Sequence, residues 1–342
     1  MNIPLPRLLF LKGAGVFLSL LPLLLGAQTP VRMEFSHPQM GTMFSIVLYT
    51  ADEETGRKAA EAAFARIDSL NAHLSDYLPE SELNRLCALS GNGQKVLVSE
   101  DLWRVMARAQ LFSRLSQGAF DVSVGPLTRL WRRAIRRQEM PDPQQITEAR
   151  ARVGWQHIRM YPSEGSMKLM LKEMQLDLGG IGQGFAADEA LKVIESFGIS
   201  QALVDGGGDL MLGDPPPGKK GWEVSLPGID DAGAPADTTL ILSRCGLSTA
   251  GDTYRFLESG GIRYSHTLNP LTGMGMTDRR MVTVIAPTCT DADALDTALS
   301  VMDPEDGFQL LSLFDGKNSR YAARIVYKAG AEYLKLHSDR WF

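Results

Sequence analysis

The segment Asp177-Leu-Gly-Gly-Ile-Gly-Gln-Gly184 most restricts what this chain can fold into. Four glycines in eight residues make a poor strand interior and a poor helix interior, because glycine loses the most backbone freedom on ordering. Leu176 to Leu178 reads as the end of a strand, and the apolar spacing from Phe185 to Phe197 reads as a helix. Between them lies a loop whose amides can approach a ligand closely. The helix N-terminus behind it favours an anion such as a pyrophosphate. A purely structural turn accounts for the glycines equally well. The loop is not a Walker loop, since no Gly-Lys-[Ser/Thr] follows, and it lacks the usual Rossmann context.

The rest of the pattern mixes both element types. Residues 33–49 predict strand, broken by a turn at Met40-Gly41-Thr42. Apolar periodicity predicts helices over 53–71, 83–88, 101–116, 144–152 and 292–301, with Ser99 capping the third. Two strands are expected within 158–171, and others at 202–205, 222–226, 238–243, 246–249, 281–286, 322–327 and 332–336. No regular βαβ period joins them. The predicted class is therefore α+β, with mixed or antiparallel sheets packed with helices. Residues 33–342 are expected to form one compact unit, with division into two subdomains left open.

The first 27 residues read as a signal peptide. Arg7 and Lys12 precede an apolar stretch from Gly13 to Leu25, and the small residues Gly26 and Ala27 follow. The alternative is an uncleaved membrane anchor, for which the apolar core is short against the ~20 residues a span needs. No Cys ends the stretch, so lipid attachment there is not supported. Export to the periplasm is the expectation. The formal charge of −5 gives no bulk attraction to nucleic acid, which is excluded as a partner. One basic run, Arg129, Arg132, Arg133, Arg136 and Arg137, reads as a solvated helix face rather than a binding patch. Three cysteines, Cys87, Cys245 and Cys289, match no zinc spacing and read as small buried hydrophobes.

Two further segments carry candidate chemistry. Thr290-Asp-Ala-Asp-Ala-Leu-Asp-Thr-Ala298 opens a helix, and Asp293 and Thr297, four apart, share a face. Hard oxygens on a rigid element suit Mg²⁺, which takes few protein ligands and completes its shell with water and phosphate. Helix capping by Thr290 or Asp291 explains one of these residues and leaves Asp293, Asp296 and Thr297 without a role. His266, in Tyr264-Ser-His-Thr-Leu-Asn-Pro270, is a candidate general base, because imidazole titrates near working pH. A structural histidine is the alternative.

In this order the segments resemble the ApbE family of FAD:protein FMN transferases. The resemblance runs from about Met40 to about Met302. It rests on Met40-Gly-Thr42, Ser81-Glu-Leu-Asn-Arg85, Gly118-Ala-Phe-Asp-Val-Ser-Val-Gly-Pro126, Asp177-Leu-Gly-Gly-Ile with Gly184-Phe-Ala-x-Asp188, Gly206-Gly-Gly-Asp209, Ser248-Thr-x-Gly-Asp252, Ser265-His266 with Pro270-x-Thr-Gly273, and Ala292-Asp-Ala-Leu-x-Thr-Ala-Leu299. It implies binding of FAD with Mg²⁺ and transfer of FMN to a Thr or Ser hydroxyl of an acceptor protein, with AMP released. The acceptor is expected to be a membrane redox subunit or an exported electron-transfer protein. By resemblance the metal is held by Asp293, Thr297 and the Gly182 carbonyl. Flavin and adenosine contacts fall on Met40, Tyr77, Ala119, Phe120, Asp121 and Asp177, with Gly251 and Asp252 close by. His266 activates the acceptor hydroxyl, and Asp293 counts as catalytic through the metal. Gly182-Gln183 stands where the family usually has Ala-Lys, and Asn269 where it has Asp. Those departures keep two other readings open: an FAD pyrophosphatase releasing FMN and AMP, and a flavin-binding protein without turnover.

Overall fold

The computed structural model describes residues 29–226, 238–251, 256–314, 320–329 and 332–341. The expected leader and Asp252 lie outside the described residues.

Eight strands form one antiparallel sheet in chain order. They are β1 (Val31–Gln39), β2 (Thr42–Thr50), β3 (Ala202–Gly206), β4 (Leu210–Leu212), β5 (Cys245–Gly251), β6 (Arg280–Ala286), β7 (Ala322–Ala329) and β8 (Glu332–His337). Antiparallel neighbours need no crossover helix, so the helices enter as insertions. Between β2 and β3 come α1 (Glu53–Leu74), α2 (Glu82–Ala88), α3 (Glu100–Leu115), α4 (Gly125–Arg137), α5 (Pro143–Arg150) and α6 (Gly182–Ser196). Between β6 and β7 come α7 (Cys289–Val301) and α8 (Pro304–Ser312).

The two-residue period of the strands decides what covers each face. Phe44, Ile46 and Leu48 of β2 point one way, with Val204, Val282 and Val284, and pack on Ile67 of α1, Ala186 and Ala190 of α6 and Leu295 of α7. Burial of each large apolar side chain contributes roughly 1.5–3 kcal/mol. The other face, with Leu247 and Ile285, is covered by the hairpin of Trp222–Leu226 and Thr238–Leu242. A third cluster joins Leu127, Leu130, Trp131 and Ala134 of α4 to Ile146 and Ala149 of α5 and to Leu257 and Leu268.

Several expectations are corrected. No strand precedes the glycine loop; Gln175 alone bridges to Val124. The backbone is satisfied elsewhere, as the Leu176 N–H donates to Cys87 Sγ at 3.2 Å and the Asp177 N–H to the Val122 carbonyl at 2.8 Å. Helix α6 starts at Gly182, inside the glycine segment, rather than at Phe185. Helix α7 starts at Cys289, and its cap is Thr288, whose hydroxyl accepts from the Asp291 N–H at 3.2 Å. Thr290 and Asp291 are thereby left for other partners. The hairpin of Phe256–Ser259 and Ile262–Ser265 and helix α8 had no sequence-based expectation. All three cysteines are buried, as read from the sequence, and all three are free.

Candidate active site

The glycine segment is pressed onto α7. The Gly184 N–H donates to Asp293 Oδ2 at 3.0 Å. A Cβ on Gly184 would lie 2.9 Å from Asp293 Cβ and closer still to the Cys289 carbonyl, so only glycine lets the two helices approach this far. A Cβ on Gly180 would meet Thr297 Oγ1 at 2.7 Å. The loop, Asp293 and Thr297 thus form one contiguous surface. Met40, at the β1–β2 turn, reaches it too: its Cε lies 3.8 Å from where a Gly182 Cβ would sit. Thr42 of the same turn packs against Gly207, which brings the Met-Gly-Thr and Gly-Gly-Gly-Asp segments together.

Behind Asp293 lies a nest of buried acids. Ser248 Oγ lies 2.5 Å from Asp296 Oδ2 and also bonds Asp209 Oδ1. A hydroxyl has one proton to give, so one of the two carboxyls must carry a proton of its own. Burial, then the charge of Asp209, pushes both Asp293 and Asp296 well above the ordinary carboxylate range. Burial likewise pushes Asp209 up to about 6. Among the described residues no Lys or Arg forms an ion pair with Asp209, Asp293 or Asp296. The carboxylate of the Gly-Phe-Ala-x-Asp segment, Asp188, accepts the N–H groups of Cys289 (2.8 Å) and Thr290 (3.0 Å) and so fixes the start of α7. Arg108 binds Asp291 with two bonds, Nε to Oδ1 at 2.5 Å and Nη2 to Oδ2, while Tyr321 donates to Asp291 Oδ2 at 2.6 Å.

These residues fit a hard divalent cation. Asp293, Thr297 and a backbone carbonyl are oxygen donors of the kind Mg²⁺ takes, and a cation there would relieve the repulsion that holds protons on the acids. Among the described residues no group of three His, Cys, Asp or Glu side chains is placed to hold a metal. A bound cation would therefore depend on this mixed donor set and on ligand phosphates.

The expected flavin contacts gather around two carboxylates, Asp177 and Asp121, which the bond from the Asp177 N–H to the Val122 carbonyl brings next to each other. Asp177 accepts from Arg132 Nη2 at 2.8 Å and from the Gly179 N–H at 2.8 Å. Arg132 also pairs with Asp76 and lies over the exposed Tyr77 ring, 4.5 Å from its centroid. Arg132 is thus a clamp on the site, which corrects its reading as part of a solvated face. Nothing local in the sequence marks which arginine of the run turns inward; Asp76 beside Tyr77 is the only hint. Asp121 accepts from the Ser123 N–H (2.8 Å), the Ser123 hydroxyl (2.6 Å) and the Trp155 N–H (2.9 Å). Asp121 opens onto a cleft of about 440 Å³ with Gly118, Trp155, Pro270 and Leu271. Phe120 is buried edge-on against Phe112, and Ala119 is buried beside it. Gly251 ends β5 opposite Met281.

His266 is exposed between the strands Ile262–Ser265 and Leu268–Asn269. The turn after it is held by Asn269, whose Oδ1 accepts the N–H groups of Leu271 (2.9 Å) and Thr272 (3.3 Å). An Asp would accept the same two bonds, so this departure from the family pattern leaves the turn intact.

A helix-backed glycine loop facing hard oxygen donors defines a protein equipped for a phosphate-bearing ligand. The ApbE family model matches residues 40–319, and the chain belongs to the ApbE family. It is 32% identical over 313 residues to the FAD:protein FMN transferase of Treponema pallidum, covering 86% of each chain. It is 31% identical over 307 residues to that of Klebsiella pneumoniae, covering 88% of this chain and 86% of the relative. The fold is that of the ApbE flavin transferases. The flavinyl transferase ApbE of Pseudomonas stutzeri superimposes with a TM-score of 0.77 at 27% identity, over 91% of this chain and 96% of the other. The ApbE protein of Thermotoga maritima does so at 0.79 and 27%, over 90% and 97%.

Proposed function

We propose that this chain is an exported, Mg²⁺-dependent FAD:protein FMN transferase that moves FMN from FAD to a Thr or Ser hydroxyl of an acceptor protein and releases AMP. The observation that carries the reading is the seam between the loop Gly180–Gly184 and the Asp293–Thr297 face of α7. It offers backbone amides and a helix N-terminus to a diphosphate, beside the oxygens that would hold a cation. Asp293, Thr297 and the Gly182 carbonyl would hold the metal, the carbonyl having a second lone pair beyond its helical bond. Mg²⁺ bound there supplies charge neutralisation for the diphosphate and the leaving AMP. Arg132 holds Asp177 and Tyr77 in place for the flavin nucleotide. His266 takes the proton of the acceptor hydroxyl as its oxygen bonds the FMN phosphorus and the bond to the AMP oxygen breaks.

The test is to incubate the purified protein with FAD, Mg²⁺ and a co-expressed candidate acceptor, then weigh the acceptor. A mass gain of FMN minus water, matched by AMP, supports the reading. FMN and AMP released with no gain on any acceptor would make the protein a hydrolase; FAD bound with no turnover would make it a flavin carrier.

A further inference from the structure

Helix α4 has two unlike sides. Leu127, Leu130, Trp131 and Ala134 are buried, and the opposite side carries Arg129, Arg132, Arg133, Arg136 and Arg137 with no acidic residue on the helix. Arg132 turns into the site. Arg129 reaches Asn84 Oδ1 at 3.3 Å, and the Asn84 amide donates to the carbonyls of Asp76 (3.1 Å) and Leu78 (2.8 Å). The row therefore starts at the loop that presents Tyr77 and Leu78, both exposed at the rim of the site. Arg133, Arg136 and Arg137 are exposed, and among the described residues no carboxylate pairs with them. Like charges one turn apart repel, and this row sits in a chain of net charge −5.

We propose that this arginine row is the docking surface for an acidic segment of the acceptor protein, lying beside the hydroxyl that enters the site. The inference rests on the transferase reading. Two features favour an extended acidic peptide. The row is continuous with the site rim through Arg132, Tyr77 and Arg129, where the chain flanking an acceptor hydroxyl must pass. The spacing also matches: Arg129, Arg133 and Arg137 rise about 6 Å per step along the helix, and alternate residues of an extended chain rise about 6.6 Å. Carboxylates at every second position would each meet a guanidinium fork, which binds carboxylate bidentately. An acidic-x-acidic pattern close to the modified Thr or Ser is the recognition feature implied.

The probe is a fluorescein-labelled peptide of four Glu–Ser repeats, titrated by anisotropy into the full chain and into the triple variant Arg133→Ala, Arg136→Ala, Arg137→Ala. A Gln–Ser peptide is the control. The wild type should bind the acidic peptide at about 50 mM salt and release most of it at about 200 mM, where screening is stronger. The triple variant should bind it at least about tenfold more weakly, while its affinity for FAD with Mg²⁺, followed by flavin fluorescence, stays at the wild-type value. The proposal is overturned if the wild type ignores the peptide or the variant binds it equally well. It is also overturned if the wild type but not the variant sediments with phosphatidylglycerol vesicles while the peptide goes unbound, since the row then faces lipid. The transferase reading is tested separately by the acceptor's mass gain and AMP release, so its loss shows in that assay and not in the peptide arm.

Discussion

The Gly184 N–H donates to Asp293 Oδ2 at 3.0 Å, and this one bond joins the glycine loop to the acidic face of α7. Asp293→Asn keeps an oxygen for Gly184 and removes the charge. Burial, with Asp209 and Asp296 nearby, already disfavours that charge, so the fold should be as stable as the wild type or more so. Mg²⁺-dependent AMP release should fall by well over 10-fold, the loss that even an outer partner of a metal produces. Wild-type turnover in this variant would remove Asp293 from the metal set.

Glycines at 182 and 184 should respond in opposite ways. Gly184→Ala forces a Cβ to 2.9 Å from Asp293 Cβ, and overpacking of this kind costs about 1–3 kcal/mol. Gly182 is buried but has room for a methyl group, since an added Cβ would make ordinary van der Waals contacts with Leu178 Cβ at 3.7 Å and Met40 Cε at 3.8 Å. Gly182→Ala restores the family's usual residue and should stabilise the start of α6 by about 0.5–1 kcal/mol. Urea unfolding of both variants measures this; equal losses would show that the loop is not seated as described.

Arg132 separates two acids. Asp76 is pushed above the usual carboxylate range by burial first and by Asp177 second. Arg132→Ala leaves both carboxylates without their shared guanidinium and removes the cation over the Tyr77 ring. The expected loss is about 1–2 kcal/mol of stability, as for a charged hydrogen bond removed at a part-exposed site, and about 10-fold in FAD affinity. Arg133→Ala, one residue along, should change stability by less than about 0.5 kcal/mol. If the two variants unfold alike, Arg132 is not a clamp.

Periodicity and glycine chemistry made most of this architecture legible. The β1–β2 hairpin follows from alternation around Met40-Gly41, and α3 from Ser99 and its apolar face. Asp293 and Thr297 were readable because a four-residue spacing fixes a shared helical face without tertiary knowledge. What escaped depends on contacts far apart in sequence. Arg132 meets Asp177 across 45 residues and Asp188 meets Thr290 across 102, and no local pattern encodes either pair. The false strand at Leu176–Leu178 arose because an apolar run is equally served by single bonds to Cys87 and Val122. Helix α8 did carry a signal, Asp303 at the cap and Pro304 in the first turn, which its short apolar run obscured.

The buried acids give a pH dependence whose sign follows from their direction of shift. Asp209 is pushed by burial from an ordinary 3.8 up to about 6, and burial together with the charge of Asp209 pushes Asp293 and Asp296 upward as well. An acid with a raised pKa in the folded state holds its proton more tightly there than in the unfolded chain. Its contribution to stability is full below the unfolded value and is lost as pH rises toward and through the folded one. Without Mg²⁺ the unfolding midpoint should therefore fall as pH is raised from about 4 to about 6, and Asp293 and Asp296 add to the fall as they are forced to ionise. The Asp209 part is of order a few kcal/mol. Saturating Mg²⁺ offsets the charge, so the fall should shrink. Asp293→Asn should flatten the Mg²⁺-free profile and abolish the Mg²⁺ effect together. Thermal melts across this pH range measure it, and a profile unaffected by Mg²⁺ would mean that no cation binds among these acids.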